Sequence, residues 1–433
     1  MRCASGHVDS HFDRRALAAL LLVASACGGS GADTGPGTGS LAVAVSAPAA
    51  VSTSINVSGP GGYSQSLSGA QTLTGLSEGS YTVSASAGAS SDPIVGNLYG
   101  ASVSGSPASV IAGSTATATV TYATTGTPGH LWIANSGGDA VGGYSTAQLS
   151  VSGTPTPAIT IGASHHAGAN AQSIAIDGSG GLWISDNSDS LVYFTSAQIA
   201  SSTTAAPARV LVDASGTVSA ITGIAFDGQG NLWLASQNDH VFEYSAAQVA
   251  AGGTVAPAIT LTSAFGSIKR PWAIAFDAQG SLWVCNYGNN SVASFTRAQI
   301  ATSGSPQPSA GVTGTQGLTG PLGIAFDRNG NLWVASIIDS LVEFPASSLA
   351  TVGSPAPMVV ITGTQLRSPV GLAFDESDAL WVASYQGARI VRYLSSQLQA
   401  TGSPTPSVAI SGSTVKLPSG IAFGPHARAL PVH

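Results

Sequence analysis

The chain has 433 residues, a formal net charge of −7 at pH 7, and 8% charged side chains against 43% hydrophobic ones. An average globular domain has about 25% charged residues, so hydroxyls and backbone must solvate much of this surface. Such a composition suits short strands and turns better than long surface helices, and the negative charge argues against nucleic acid as a partner.

The N-terminal segment has the features of an export signal. Residues 14–27 place two arginines before an apolar run that is too short to span a bilayer as a mature helix. Its ending, Ala24-Ser25-Ala26-Cys27, resembles a bacterial lipobox, which implies that Cys27 is lipidated and becomes the new N-terminus. We therefore expect a signal peptide over residues 1–27 and a flexible tether over residues 28–40.

The expected location follows from that segment. A lipidated Cys27 would make the chain an exported lipoprotein of the bacterial envelope, at the outer membrane or the surface, with the lipid anchor as its contact with the membrane. Plain cleavage near the same position, with free secretion, is the alternative.

Residues 41–124 alternate apolar and polar side chains in short runs separated by Gly, Pro and Ser. This pattern predicts a small antiparallel β-sandwich. The segment resembles the PEGA and carboxypeptidase-regulatory modules of bacterial surface proteins. The resemblance rests on Gly59-Pro60-Gly61-Gly62-Tyr63, Leu73-Thr74-Gly75-Leu76 and Gly79-Ser80-Tyr81-Thr82-Val83. It implies a spacer or docking module.

Residues 129–433 contain a repeat with a period of about 50 residues, which is typical of propellers and solenoids. Each unit has an IAFD strand, an LWVA strand after a turn, a V-x-x-[FY] strand and an apolar run. Four strands in succession match one propeller blade. The Leu-Trp pairs mark the units at Trp132, Trp183, Trp233, Trp283, Trp333 and Trp381.

The two ends of the repeat predict how the ring closes. Trp132 has no IAFD strand before it, and Gly420-Ile421-Ala422-Phe423 has no Leu-Trp pair after it. Joining these partial units completes a sixth blade and removes the open sheet edges. The expected fold is therefore all-β, a six-bladed β-propeller preceded by a small β-sandwich. A partial seventh blade at Leu430-Pro431-Val432 is the alternative.

An aspartate opens a D-x-x-G or similar turn in five of the units. Its carboxylate can accept hydrogen bonds from the amides of that turn, and glycine supplies the positive φ that the turn needs. A catalytic group has no reason to recur in every blade, so we interpret this series as structural: Asp177, Asp227, Asp277, Asp327 and Asp375.

The unit I-A-F-D-x-x-G-N-L-W-V-A-S, as it stands at residues 324–336 apart from the two x positions, resembles NHL repeats. More broadly it is similar to the six-bladed propellers of the streptogramin (virginiamycin B) lyases and the SMP-30/gluconolactonase-like enzymes. The resemblance implies the fold, but this architecture serves enzymes and pure binding modules alike.

A functional site is expected at the mouth of the central channel, where the copies differ from each other. The residues that end each LWVA strand share one face of the disc with the connections between blades, including Lys269, Arg270 and Trp272. A single asymmetric pocket on a symmetric ring requires such divergence. The candidates after the Leu-Trp strands are Asn135, Asp186, Ser236, Asn286, Ser336 and Ser384.

These residues leave two functions open. The first is a monomeric, non-enzymatic scaffold that binds a protein or glycan on one face, with no catalytic residues and no cofactor. The alternative is a metal-dependent lyase or lactonase of the resembled type, with Ca²⁺ or Mg²⁺ at the channel mouth near Asp186, Asn135 and Asn286. Gluconolactonase-like enzymes hold their cation with a Glu, Asn and Asp set, and here no Glu occupies an equivalent place.

Overall fold

The computed structural model describes residues 37–47, 51–86, 88–90, 98–124, 129–138, 140–162, 170–185, 190–263, 266–314 and 317–424. Within these ranges the regular structure is almost entirely β, arranged in eight sheets. The predicted all-β fold class is therefore confirmed. Two predicted functional residues, Cys27 and Asp186, lie outside the described residues. In the part of the chain described, no helix is long and apolar enough to cross a membrane.

Two sheets from the N-terminal part of the chain pack on one apolar core. Alternate residues of the first strand, such as Leu41 and Val43, are buried with Val57 and Val83 of the facing sheet. The first sheet contains, in spatial order, Val51–Ser52, Gly88–Ser90, Leu98–Ser104, Thr115–Thr124, Thr38–Ser46 and Gln71–Ser77. The second contains Tyr63–Leu67, Ile55–Gly59, Gly79–Ala85 and Ala108–Val110, with a 3₁₀ turn at Pro60–Gly62.

One pairing in this sandwich departs from the antiparallel pattern. Thr38–Ser46 and Thr115–Thr124 run parallel, with Leu41 opposite Ala116 and Val45 opposite Val120. The other pairings in both sheets are antiparallel among the described residues.

Six sheets follow, each built on one Leu-Trp strand, and they are numbered here as blades 1–6 in that order. The second strands, which carry the tryptophans, are His130–Asn135, Leu182–Ser185, Leu232–Ser236, Leu282–Asn286, Leu332–Ser336 and Leu380–Ser384. The innermost strands of blades 2–6 are Ser173–Ile176, Ile221–Phe226, Pro271–Phe276, Pro321–Phe326 and Pro369–Phe374. The third strands are Ala140–Tyr144, Ser190–Phe194, His240–Tyr244, Ser291–Phe295, Ser340–Phe344 and Arg389–Tyr393.

The outer strands complete the blades at Ile159–Gly162, Arg209–Asp213, Ile259–Leu261, Ala310–Thr313, Val359–Thr362 and Val408–Ser411. Short additional strands lie at Gly253–Val255 and Val352–Gly353. In the described part of the propeller, helix is limited to short segments, α-helical at Thr146–Leu149 and Ala246–Ala251 and 3₁₀ at Gln198–Ala200, Tyr287–Asn289, Ala346–Ser348 and Ser395–Gln397.

The ring closes as predicted, through the C-terminal strand. Pro418–Gly424 is the innermost strand of blade 1 and pairs antiparallel with His130–Asn135, with His130 opposite Gly424. The six-bladed count is thereby confirmed. The alternative seventh-blade segment at residues 430–432 lies outside the described residues.

Each tryptophan packs between its own blade and the next. Trp333 meets the Phe374 ring edge-to-face, with the centroids 6.3 Å apart. The same contact joins Trp233 to Phe276 and Trp283 to Phe326. Such pairs contribute about 0.5–1.5 kcal/mol beyond the area they bury. Trp381 meets Phe423 in the same way across the closure of the ring, so at four of the six junctions a Phe of the innermost strand is the partner of the preceding tryptophan.

In five of the six blades a glutamine holds the short helix or turn after the third strand to the proline-containing stretch that follows. The Gln248 side chain accepts a hydrogen bond from the backbone of Ser245 at 2.9 Å and donates one to the Ala256 carbonyl at 2.8 Å. The same donation recurs at Gln148, Gln198, Gln299 and Gln397. Blade 5 has Ser348 at this position, which bonds within its own turn.

The stretch after each one-turn helix also joins neighbouring blades around the rim. Gly304 pairs with Leu261 of the preceding blade in a parallel bridge, and Gly402 pairs with Ile361 in the same way. The bridge between Gly153 and Ile410 continues this belt across the closure of the ring. The proline-containing repeat therefore supplies backbone hydrogen bonds between blades.

Candidate functional site

The turn aspartates hold the hairpin between the innermost and second strands. Asp327 accepts hydrogen bonds from the amides of Asn329 and Asn331, both at 2.9 Å, and Gly330 adopts a φ of 79°. In four other blades the second carboxylate oxygen of the turn aspartate accepts a hydrogen bond from the indole N–H of that blade's tryptophan. These pairs are Asp177–Trp183, Asp227–Trp233, Asp277–Trp283 and Asp375–Trp381, at 3.3, 3.1, 2.8 and 2.9 Å.

The candidate serines at the ends of the second strands are fully buried. The Ser336 hydroxyl donates to the carbonyl of Thr319 at 2.6 Å and accepts from the Thr319 amide at 2.8 Å. Ser236 donates to Ser219 at 2.6 Å, and Ser384 donates to the Arg367 carbonyl at 3.2 Å. Each serine therefore ties its strand to the connection that enters the same blade.

The candidate asparagines make the same kind of tie. Asn286 accepts from the amide of Lys269 at 2.9 Å and donates to the carbonyl of Ser267 at 3.0 Å. Asn135 accepts from the amide of Lys416 at 3.0 Å and donates to the Ala140 carbonyl at 3.2 Å. The five candidates that the structure describes all bond to the backbone of a neighbouring segment. The sixth, Asp186, lies outside the described residues.

The central channel is narrow because the innermost strands approach each other closely. A Cβ atom on Gly323 would overlap the carbonyl oxygen of Val370, so only glycine fits at that position. A cavity of about 100 Å³ remains on the axis, lined by residues of all six innermost strands, including Trp272. Pockets for drug-sized ligands span about 300–1,000 Å³, so the axis itself offers little room.

An aromatic and cationic group, called here the mouth cluster, stands beside the channel entrance: Asp239, Lys269, Arg270, Trp272 and Tyr287. The Trp272 and Tyr287 rings lie 5.9 Å apart, and the Arg270 guanidinium stacks 5.1 Å from the Tyr287 centroid. Lys269 pairs with Asp239 at 2.6 Å. Burial opposes ionisation of Asp239, but its hydrogen bonds from Lys269 and from the Arg270 amide outweigh that effect and lower its pKa.

A second variable position lies on the opposite face, beside the turn aspartates. The third-strand residue paired with each tryptophan varies from blade to blade, and only blades 3 and 5 share one, a glutamate. In blade order these residues are Gly143, Tyr193, Glu243, Ser294, Glu343 and Arg392. This position was not predicted from the sequence. A charged residue immediately before the buried aromatic of the V-x-x-[FY] strand was the signal that could have revealed it.

Glu243 and Glu343 are 4% and 3% exposed, which is unusual for carboxylates. Burial, and then the neighbouring carboxylate of Asp227, raises the pKa of Glu243 to about 7. Burial and Asp327 likewise raise the pKa of Glu343 to about 7. Both side chains line cavities between blades, of about 430 Å³ at Glu243 and about 190 Å³ at Glu343.

Among the described residues, no three His, Cys, Asp or Glu side chains lie close enough together to hold a metal ion. The predicted Ca²⁺ or Mg²⁺ site near Asp186 includes a residue outside that part of the chain, so it stays a prediction.

Comparisons with known proteins give matches at the level of structure. No protein-family model matches the chain, and no curated protein matches it. Virginiamycin B lyase from Staphylococcus aureus aligns at 15% identity with a TM-score of 0.43, over 71% of this chain and 83% of the lyase. A protein of unknown function from Bacteroides caccae aligns at 14% identity with a TM-score of 0.47, over 69% of this chain and 99% of its own.

A structure described as a streptogramin B lyase aligns at 14% identity with a TM-score of 0.43, over 68% of this chain and 96% of its own. These likenesses are of fold alone. No activity or ligand of this chain follows from them.

Proposed function

We propose that the chain is an exported envelope protein whose propeller is a binding scaffold for a protein or glycan. The mouth cluster is the contact surface, and the N-terminal sandwich is a spacer. The tether to a lipid on Cys27 ends before Thr38 and not at residue 40 as predicted, because Thr38–Ser46 is a strand of the sandwich. The observation that carries the proposal is the mouth cluster itself, a group of aromatic and basic side chains beside the channel entrance.

Its composition supports a role in recognition. Trp, Tyr and Arg are the residues most enriched at binding hot spots, because they combine a large apolar area with hydrogen-bonding groups. Trp272 and Tyr287 are half-buried, whereas Lys269 and Arg270 are exposed. A partner can therefore cover the rings without unfolding the loop.

The cluster is also held in place before a partner binds. Asp239 accepts from the Arg270 amide at 2.7 Å, and Asn286 accepts from the Lys269 amide at 2.9 Å. Ordering a loop on binding costs free energy, and a loop that is already ordered avoids that cost. The predicted site residue Asn286 thus supports the cluster through its tie to the connection.

The test is a photocrosslinking experiment on the full chain in its own envelope. A photoreactive side chain at Tyr287 is expected to capture a defined protein, or to attach to envelope polysaccharide. The Trp272→Ala change should reduce the yield about tenfold or more if Trp272 is a hot spot. The same photoreactive side chain at Ser179, an exposed residue of the Asp177 turn on the opposite face, is the control and should give no such adduct.

Turnover of a lactone or a streptogramin, dependent on a divalent cation and lost in Asp186→Ala, would contradict the scaffold proposal and support the lyase or lactonase alternative. Equal crosslinking from Tyr287 and Ser179 would also contradict it, because the mouth cluster would then have no special role.

The lipid anchor has a separate test. Replacing Cys27 with Ser removes the thiol that would carry the lipid, so the protein is expected to move from the membrane fraction to the soluble fraction. Cys3→Ser, within the same leader, is the matched control and should leave fractionation unchanged. If Cys27→Ser protein stays with the membrane, the anchor is not at Cys27.

A further inference from the structure

The cavity of about 190 Å³ between blades 5 and 6 contains two buried polar atoms without partners. Oε2 of Glu343 and Nε1 of Trp333 make no hydrogen bond within the protein. Both side chains line the cavity, and they are 3% and 1% exposed. Buried polar groups are nearly always hydrogen-bonded, so this pair indicates a site completed by something from outside the chain.

The cavity is also acidic, in addition to containing polar atoms without hydrogen-bond partners. Asp327 and Asp378 line it together with Glu343, and no lysine or arginine is among its lining residues. On this face Arg328 pairs with Asp378 at 3.5 Å and is half exposed. A single water requires only about 10–15 Å³ of such volume, so a larger group fits here.

The repeat provides an internal comparison at the junction of blades 3 and 4. The cavity there has the same plan, with Asp227 and Glu243 in the places of Asp327 and Glu343. Its lining includes Arg297, whose guanidinium meets the side-chain amide of Gln229. That cavity therefore has an exposed guanidinium on its lining, bonded to Gln229.

The corresponding residue at the junction of blades 5 and 6 is a serine. Arg297 follows Thr296 and lies two residues before Gln299, and Ser395 has the same spacing from Leu394 and Gln397. Ser395 lines the smaller cavity just as Arg297 lines the larger one. The junction of blades 3 and 4 thus has a guanidinium on its cavity lining, and the junction of blades 5 and 6 has none there.

Blade 6 shows a second guanidinium beside a turn aspartate. There Arg392 occupies the third-strand position of Glu343, donates to Asp375 at 2.7 and 2.9 Å, and stacks over Trp381 at 5.5 Å. A planar guanidinium is the cation best suited to carboxylates beside an indole, because it combines paired N–H donors with a face that stacks.

We propose that the cavity between blades 5 and 6 is a binding site for a guanidinium group supplied by a ligand. The group would lie beside Glu343 and Asp327, as the Arg392 guanidinium lies beside Asp375 in blade 6. This site is on the face opposite the mouth cluster and does not depend on the scaffold proposal. It gives the protein a second point of recognition, for an arginine side chain of a polypeptide or for a small guanidine compound.

The test is calorimetric titration of the full chain with three probes. N-acetyl-arginine methylamide represents an arginine side chain, agmatine represents a small guanidine, and N-acetyl-citrulline methylamide is a neutral isostere of the first. Saturable binding of the arginine probe with a Kd of about 1 mM or tighter is expected, and the citrulline probe should not bind. Binding of agmatine without the arginine probe would identify a small guanidine as the ligand.

Three variants locate the site. Glu343→Gln should weaken binding about tenfold or more, since it removes the charge that pairs with the guanidinium. Glu243→Gln changes the equivalent residue of the arginine-containing junction and should leave the affinity unchanged. Ser395→Arg should weaken binding about tenfold or more, because it places a positive charge on the cavity lining, where Arg297 stands at the other junction, and so repels a cationic ligand.

Binding should also be tighter at about pH 8 than at about pH 6, because the charged form of Glu343 predominates at the higher pH. Asp327 and Asp378 also face the site, and Arg328 offsets part of the charge of Asp378. Absence of binding, equal binding of the citrulline probe, or undiminished binding to Ser395→Arg would each overturn the proposal. The last variant adds a side chain instead of removing a contact, so it serves even where Glu343→Gln fails to fold.

Discussion

A chain that ends after Leu417 is expected to lose cooperative folding of the propeller. The missing strand, Pro418–Gly424, is the innermost strand of blade 1, and its Ile421 and Phe423 are 8% and 3% exposed. Burying one large apolar side chain contributes about 1.5–3 kcal/mol. The same strand also supplies the hydrogen bonds that close the ring, whereas total stabilities are about 5–15 kcal/mol.

Removal of that strand would also expose the edge of His130–Asn135, and unpaired edges promote aggregation. Differential scanning calorimetry should show a broadened, weakened transition, and size-exclusion chromatography should show higher-order species. The matched control ends after Gly424, keeps the whole strand, and should unfold within about 2 °C of the full chain. A chain ending at Leu417 that retained the full transition would show that ring closure does not contribute to stability.

The propeller could be predicted because its blades repeat buried, strongly patterned strands. The spacing of the Leu-Trp pairs and the complementary partial units at the two ends specify both the number of blades and the closing strand. The belt at the rim could not be predicted, because it joins Thr260 to Gly304 and Val360 to Gly402, across blades. The parallel pair in the sandwich escaped prediction for a related reason. Alternating burial has the same period in parallel and antiparallel strands.

The candidate site was less accessible from the sequence. Divergence at the ends of the second strands was interpreted as the mark of a pocket, but the structure offers another explanation. A serine hydroxyl and an asparagine amide can each donate to one backbone group and accept from another. Ser336 and Asn286 therefore make equivalent ties despite their difference. By contrast, Glu343 lies within a short strand, and only the packing of blade 6 beside it shows that it is buried.

Asp375→Ala is expected to destabilise the protein by about 3–5 kcal/mol, the usual cost of breaking a buried ion pair by removing one partner. The Asp375 side chain is fully buried and accepts from the Ala379 amide, the Trp381 indole and the Arg392 guanidinium, each at 2.9 Å. Its loss leaves Arg392, whose side chain is 11% exposed, as an uncompensated charge. Urea denaturation should show the effect as a lower midpoint with an unchanged slope.

Blade 4 supplies the control, because Asp277 makes the same turn and indole bonds but faces Ser294 instead of an arginine. Asp277→Ala should therefore cost only about 1–3 kcal/mol, the penalty of unsatisfied hydrogen bonds without a stranded charge. The double change Asp375→Ala with Arg392→Ser removes both charges, so it should cost less than the sum of the two single changes, with a coupling of about 0.5–3 kcal/mol. Strict additivity would mean that the arginine is solvated well enough to need no partner. In that case the ion pair of blade 6 would be no stronger than one on the surface.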